Sequence, residues 1–245
     1  MNKIQVKILN PDSVKNAEKM AVCAARLTQR GHKIKSLEDF MVLYDKPYTK
    51  NTVKALVNLP HPTLQKFAAI NVVVVGASRR FLSQITRHQN EVKFMSASLQ
   101  YSDYSGESAF TVPYDFIERS AVNEYIESQQ NAMDLYADAI GAGVDNDAAG
   151  YLAPQGLRNI LIISATPYQW KHMIRQRTCR RNTPETRYVM LKIWDELMHL
   201  SPDLFSDCGP FCTREKCPER KMSCRKPIAR ELAPQSIIAT DFPCL

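Results

Sequence analysis

The chain has 245 residues, of which 44% are hydrophobic and 23% charged, with a formal net charge of +7. That length suits one large domain or two small ones around a sizeable core, and the positive charge suits an anionic partner such as a nucleotide, a flavin phosphate or a nucleic acid. No run of about 18 apolar residues is present, which excludes a membrane-spanning helix, and Met1-Asn2-Lys3-Ile4-Gln5-Val6 lacks a signal peptide's apolar region, so a cytoplasmic location is expected.

Val14, Ala17, Ala21, Ala24 and Ala25 recur at helical spacing and predict a helix over residues 13–29, stopped at Gly31. Two short helices follow over 37–44 and 52–59, the second ended by Pro60. Ile70-Asn71-Val72-Val73-Val74-Val75 is β-branched and almost continuously apolar, the pattern of a buried strand, and Gly76 breaks it. Ser78 is placed to cap a helix over 79–88, on which Gln84, Arg87 and His88 share a face. Residues 94–102 read as irregular or extended, and Val112-Pro113 ends an extended piece. A long helix over 116–142 and a short one over 146–152 come next, the latter stopped at Pro154. A strand is expected at 160–163 and a helix at 169–179. Thr183-Pro184-Glu185 then opens a helix running to about Leu200, with Thr as cap and Pro at the first position. Residues 206–245 are polar, basic and rich in cysteine, so the chain divides into a body over 1–205 and a loop-rich tail pinned to it.

Three constellations carry chemistry. The first is Ser78-Arg79, Gln84, Arg87-His88-Gln89, Ser98 and Tyr101. Arginine forks beside serine hydroxyls suit an oxyanion or a phosphate; a solvated basic helix next to a polar loop is the alternative. The second is Arg175, Arg177, Arg180, Arg181, Glu185 and Arg187, six charges within thirteen residues. These form either a ligand site or a cluster neutralised by Glu185 at its own helix start. The third is Cys208, Cys212, Cys217 and Cys224, with Cys179 upstream. Four thiolates at irregular spacing suit zinc, and free thiols or oxidised pairs are the other readings. Cys23 and Cys244 read as inert, and His32, His61, His172 and His199 stand alone.

The ordered series resembles the flavin-dependent thymidylate synthases. Their Gly-x-Ser-Arg helix leading to Gln-x-x-Arg-His-Arg is similar to Gly76-Ala77-Ser78-Arg79 followed by Gln84-Ile85-Thr86-Arg87-His88-Gln89. Their Ser-x-Arg-Tyr is matched by Ser98-Leu99-Gln100-Tyr101. Their Ala-Arg-x-x-Leu-Pro, later Arg and Ala-Gln-x-Glu-x-Arg resemble Ala149–Pro154, Arg177 and Asn182-Thr183-Pro184-Glu185-Thr186-Arg187. Ala25-Arg26-Leu27-Thr28 is similar to an upstream family piece, so the likeness spans about Ala24 to Leu200.

The resemblance implies an α/β single-domain fold with a central β-sheet and long helices, assembled as a homotetramer. It implies bound FAD, with NADPH and methylene-tetrahydrofolate as cosubstrates, and methylation of dUMP to dTMP without a protein nucleophile. Carried over by position, Arg87, His88 and Gln89 hold the flavin. Gln84, Ser98, Gln100 and Arg177 hold the nucleotide, and Arg79, Tyr101, Glu185 and Arg187 support them. Cys179, Cys212, Cys217 and Cys224 are the candidate zinc ligands, independent of the resemblance.

The chain departs from the family pattern at Gln89, Gln100 and Gly150, each where the family has arginine, at Lys66-Phe67 in place of Glu-His, and at Thr183 in place of Gln. Each lost charged contact to a ligand costs about 1.5–3 kcal/mol. Lys93, Arg180 or Arg181 can compensate, the substrate can be another pyrimidine nucleotide, or the activity can be lost. A basic, zinc-bearing nucleic-acid-binding protein is the competing class, disfavoured because aromatics do not interleave with the basic run.

Overall fold

The computed structural model describes residues 4–245; Met1, Asn2 and Lys3 of the N-terminal reading lie outside them. In chain order the elements are β1 (Gln5–Ile8), α1 (Pro11–Arg30), α2 (Leu37–Asp45), α3 (Lys50–Val57), β2 (Ile70–Ser78), α4 (Arg79–Ile85), β3 (Val92–Ser96), α5 (Tyr114–Glu118), α6 (Val122–Gly141), α7 (Asn146–Ala149), β4 (Arg158–Ala165), α8 (Pro167–Arg177), α9 (Pro184–Leu200), α10 (Pro202–Phe205) and α11 (Pro234–Asp241). Four antiparallel strands form one sheet in the order β1-β2-β4-β3.

The register explains which face is buried. Val72 pairs with Ile163 and Val74 with Leu161, and all four turn inward onto a core completed by Trp170, Met173, Val189, Met190 and Ile193 of α8 and α9. The opposite face carries Val75, Ile160, Ile162 and Met95, which are 40%, 47%, 40% and 72% exposed in the single chain. A second, smaller core gathers Phe110, Met133, Tyr136, Ala149 and Leu157 around α6 and α7. Residues beyond 205 do not hang free: Cys208, Ile228, Ile237 and Phe242 are buried in the main core. Among the described residues no helix is long and apolar enough to cross a membrane.

Several expectations are corrected. The strand starting at Ile70 does not stop at Gly76. Gly76 adopts φ 83°, a left-handed value that glycine tolerates, and makes a bulge between Val75 and Ala77 through which β2 continues to Ser78. The helix expected over 79–88 ends at Ile85: the His88 N–H closes a tight turn on the Ile85 carbonyl, and the Gln84 carbonyl it would bond in a helix accepts from Arg177 instead. Arg87 and His88 therefore leave the helix and do not share a face with Gln84. The long helix is broken into α5 and α6 at Ser120, whose φ is 56°. Thr183 precedes α9, but its hydroxyl donates to Thr186 Oγ1 instead of accepting from the helix N-terminus.

Candidate active site

The bulge at Gly76 turns Ala77 and Ser78 inward together, and both are buried. The Ser78 hydroxyl oxygen accepts from the Phe81 N–H at 3.0 Å, capping α4. The same hydroxyl donates to Glu185 Oε2 at 2.5 Å, and the Ser78 N–H donates to Glu185 Oε1 at 2.7 Å. Glu185 thus clamps the start of α9 onto the end of β2. Burial pushes its carboxyl up, while the two Ser78 bonds pull it down.

Arg177, at the last turn of α8, joins the two sequence segments. Its Nε donates to His88 Nε2 at 2.8 Å, its Nη2 to the Gln84 carbonyl at 2.9 Å and its Nη1 to Asn182 Oδ1 at 3.1 Å. Asn182 is held in turn, donating to the Gln176 carbonyl at 2.7 Å. A ring nitrogen that accepts carries no proton, so His88 is neutral with its hydrogen on Nδ1. Its buried position, then the Arg177 charge, then His172 hold its pKa down at about 4. His172 meets it edge-on, with ring centroids 5.9 Å apart.

Two open clefts flank this framework. One, of about 770 Å³, is lined by Lys66, Arg87, His88, Gln89, Gln176 and Arg177. The other, of about 610 Å³, is lined by Arg79, Ser98, Gln100, Asp147, Gly150 and Tyr151. In the second cleft Ser98 Oγ accepts from the Gln100 N–H at 3.1 Å. Arg79 Nη1 is buried there without a hydrogen-bond partner, a costly state that an acceptor on a bound ligand relieves.

The family model for the thymidylate synthase complementing protein matches residues 11–203. The chain belongs to this family. It is 24% identical over 173 residues to the flavin-dependent thymidylate synthase of Geobacter sulfurreducens, covering 70% of this chain and 74% of that one. It is 23% identical over 171 residues to that of Pyrococcus abyssi, covering 66% and 70%. Its fold is similar to the UMP/dUMP methylase PolB from Streptomyces cacaoi bound with 5-Br dUMP, with a TM-score of 0.68 at 17% identity over 85% of this chain and 97% of that one. It is similar too to thymidylate synthase X from Helicobacter pylori with FAD and dUMP, with a TM-score of 0.63 at 17% identity over 84% and 99%.

In this chain the expected site residues fall into groups. Arg87, His88, Gln89 and Arg177 meet in one cleft, and Arg79, Ser98 and Gln100 in the other. Gln84 meets Arg177 through its carbonyl. Tyr101 projects away, 82% exposed. Arg187 is buried behind the site, donating from Nε to the Thr178 carbonyl at 2.9 Å and from Nη2 to Asp241.

Glu185 is not the counter-ion of the arginine cluster: Asp241 in α11 takes that part, pairing with both Arg180 and Arg187. Arg180 is further tied to the Lys226 carbonyl at 2.6 Å, so it is not available to replace the missing ligand arginines. Sequence reasoning passed over His172 and Asn182. His172 stands five residues after the start of α8, and only the packing of α8 beside the α4 turn brings it to His88. Asn182 directly precedes the Thr-Pro-Glu helix start, a position at which a capping role is the ordinary expectation.

Cys179, Cys212, Cys217 and Cys224 all line one cavity of about 290 Å³. They are free thiols, and among the described residues no group of three or more His, Cys, Asp or Glu side chains is drawn together tightly enough to hold a metal as it stands. Cys208 is separate, fully buried in the core, with its thiol pushed up to about 12 by burial.

Proposed function

We propose that this protein is a flavin-dependent thymidylate synthase that methylates dUMP to dTMP, with FAD bound and with methylene-tetrahydrofolate and NADPH as cosubstrates. The observation that carries the reading is the Arg177 hub, which binds His88 and Gln84 from one family motif to Asn182 beside the other.

The clefts suit the ligands. Arg87 and Gln89 stand exposed at the rim of the larger one, with neutral His88 at its wall, and together they hold the flavin. Bound FAD supplies the redox and one-carbon-carrying chemistry, so no side chain need act as nucleophile. Ser98 and Gln100 take the nucleotide in the second cleft, Gln84 and Arg177 reach it from the first cleft of another copy of the chain, and Arg79 offers its unpartnered Nη1 to the same ligand. The protein's own task is orientation. Arg177 is locked by three acceptors, and Glu185 fixes the two helix starts relative to each other, so ligands meet donors that need no rearrangement. Arg187 and Tyr101 support the site from behind and from the rim. The uncovered apolar face of the sheet supports a homo-oligomer, a tetramer in this reading, with other copies completing the clefts in the cytoplasm.

A second reading, methylation of another pyrimidine nucleotide, is favoured by Gln100 and Gly150, which leave the Ser98 cleft with Arg79 as the cation among its lining residues. Incubating the protein with FAD, both cosubstrates and an equal mixture of dUMP and UMP, followed by mass spectrometry of the nucleotides, separates the readings. The expected product is dTMP. 5-Methyl-UMP in its place moves the assignment to the second reading, and methylation of neither sinks both.

A further inference from the structure

The tail beyond residue 205 contains two one-turn 3-10 helices and one short α-helix, and much of it has little apolar content with which to hold itself. Yet it is folded back against the turn between α8 and α9. Arg180 from that turn grips the Lys226 carbonyl and Asp241. Arg180 and Lys226 line a cavity that Cys179 enters from the turn and Cys212, Cys217 and Cys224 enter from the tail. We propose that these four cysteines bind one zinc ion, which staples the tail to the turn carrying Arg177 and Asn182.

The chemistry of the surroundings fits thiolate ligands. Three of the four come from a stretch of thirteen residues, and the fourth from a point more than thirty residues upstream, so one ion closes the tail onto the body. The Ile228 N–H donates to Cys212 Sγ at 3.4 Å. Such N–H donors are the outer partners that orient and stabilise sulfur ligands. Arg180, Arg181 and Lys226 line the same cavity and offset the surplus negative charge of a zinc ion bound to four thiolates. The cavity is wide enough for the ion, and zinc–sulfur bonds of about 2.3 Å require the side chains to draw in by rotation about single bonds. On binding, each thiol loses its proton to solvent, four protons for one zinc, with no change of oxidation state. Cys208 is excluded by its place in the apolar core, and Cys23 and Cys244 by lying outside the cavity.

The inference does not depend on the flavin reading, and its test reads a different signal. Full-length protein is purified from zinc-replete cells without chelator, and metal is measured by plasma mass spectrometry beside a thiol titration with a mercurial. The expected result is about one zinc per chain, released as the mercurial reacts, with Cys23→Ser and Cys244→Ser retaining it. Cys217→Ser and Cys224→Ser are expected to lose it. Wild-type protein that carries no zinc above the buffer blank and takes up none from added zinc chloride overturns the proposal, however the variants fold. Disulfides among the four in freshly purified protein overturn it as well.

Discussion

His88 makes the stability of this protein depend on pH in a defined window. An unfolded histidine titrates near 6.5, whereas burial, Arg177 and His172 hold the folded His88 at about 4. The unfolded chain therefore binds the extra proton first as pH falls. Stability is complete above pH 6.5 and is lost as pH drops from there toward 4. With about 1.36 kcal/mol per unit of pKa difference, the loss reaches about 2 kcal/mol by pH 5 and about 3 kcal/mol below pH 4. The perturbation that isolates this contribution is His88→Gln, because the amide oxygen still accepts from Arg177 Nε but does not titrate. Urea unfolding of wild type and variant is compared from pH 7.5 to pH 5, with the midpoint multiplied by the slope at each pH. The wild type is expected to lose about 2 kcal/mol more than His88→Gln across that range. Equal pH dependence in the two proteins refutes the neutral, Arg177-bonded His88.

Four further outcomes follow from the geometry. Asp241→Ala leaves Arg187 buried and Arg180 partly buried without their shared carboxylate; a loss of about 3–5 kcal/mol in urea unfolding is expected, with earlier proteolysis in the tail. Glu185→Ala strands the Ser78 N–H and hydroxyl inside the protein, at a cost of about 2–4 kcal/mol, and a variant as stable as wild type contradicts the clamp. Gly156→Ala puts a methyl carbon 1.9 Å from the Tyr125 hydroxyl and 2.5 Å from Gln129 Oε1, so thermal unfolding should show a loss of about 1–3 kcal/mol. Gln100→Arg adds a second cation beside Arg79 in the Ser98 cleft and should tighten dUMP binding about tenfold by calorimetry, equivalent to about 1.4 kcal/mol; unchanged affinity removes that cleft as the nucleotide site.

The parts legible in the sequence are those written in local pattern. The run Ile70–Val75 announces a central strand because every residue but Asn71 is β-branched. The start of α9 is readable from Thr-Pro-Glu, and α1 from its alanine spacing. β1 was not legible: Gln5 and Lys7 alternate with only two apolar residues, and its pairing with β2 supplies what its own sequence lacks. The end of α4 is not legible because nothing local forbids a helix through Arg87; the break comes from Arg177, which takes the Gln84 carbonyl and leaves the His88 N–H to close on Ile85. The site residues were readable one by one, but their partners were not. Ser78 and Glu185 are 107 positions apart, and Arg177 and His88 are 89 apart. Distances of that kind are set by how helices pack on the sheet, to which composition and spacing are blind. The docking of α11 through Asp241 and Phe242 is of the same kind, since each of those residues reads as ordinary in a polar tail.

The central claim is that the framework built by Arg177, His88 and Gln84 holds a flavin beside a pyrimidine deoxynucleotide. It is tested most directly by the visible absorption spectrum of the purified protein, reconstituted with FAD, freed of excess cofactor, and then titrated with dUMP. Retained flavin whose band shifts saturably on adding dUMP, and a loss of that retention in Arg177→Ala, is the expected result. Protein that emerges colourless after exposure to FAD contradicts the account.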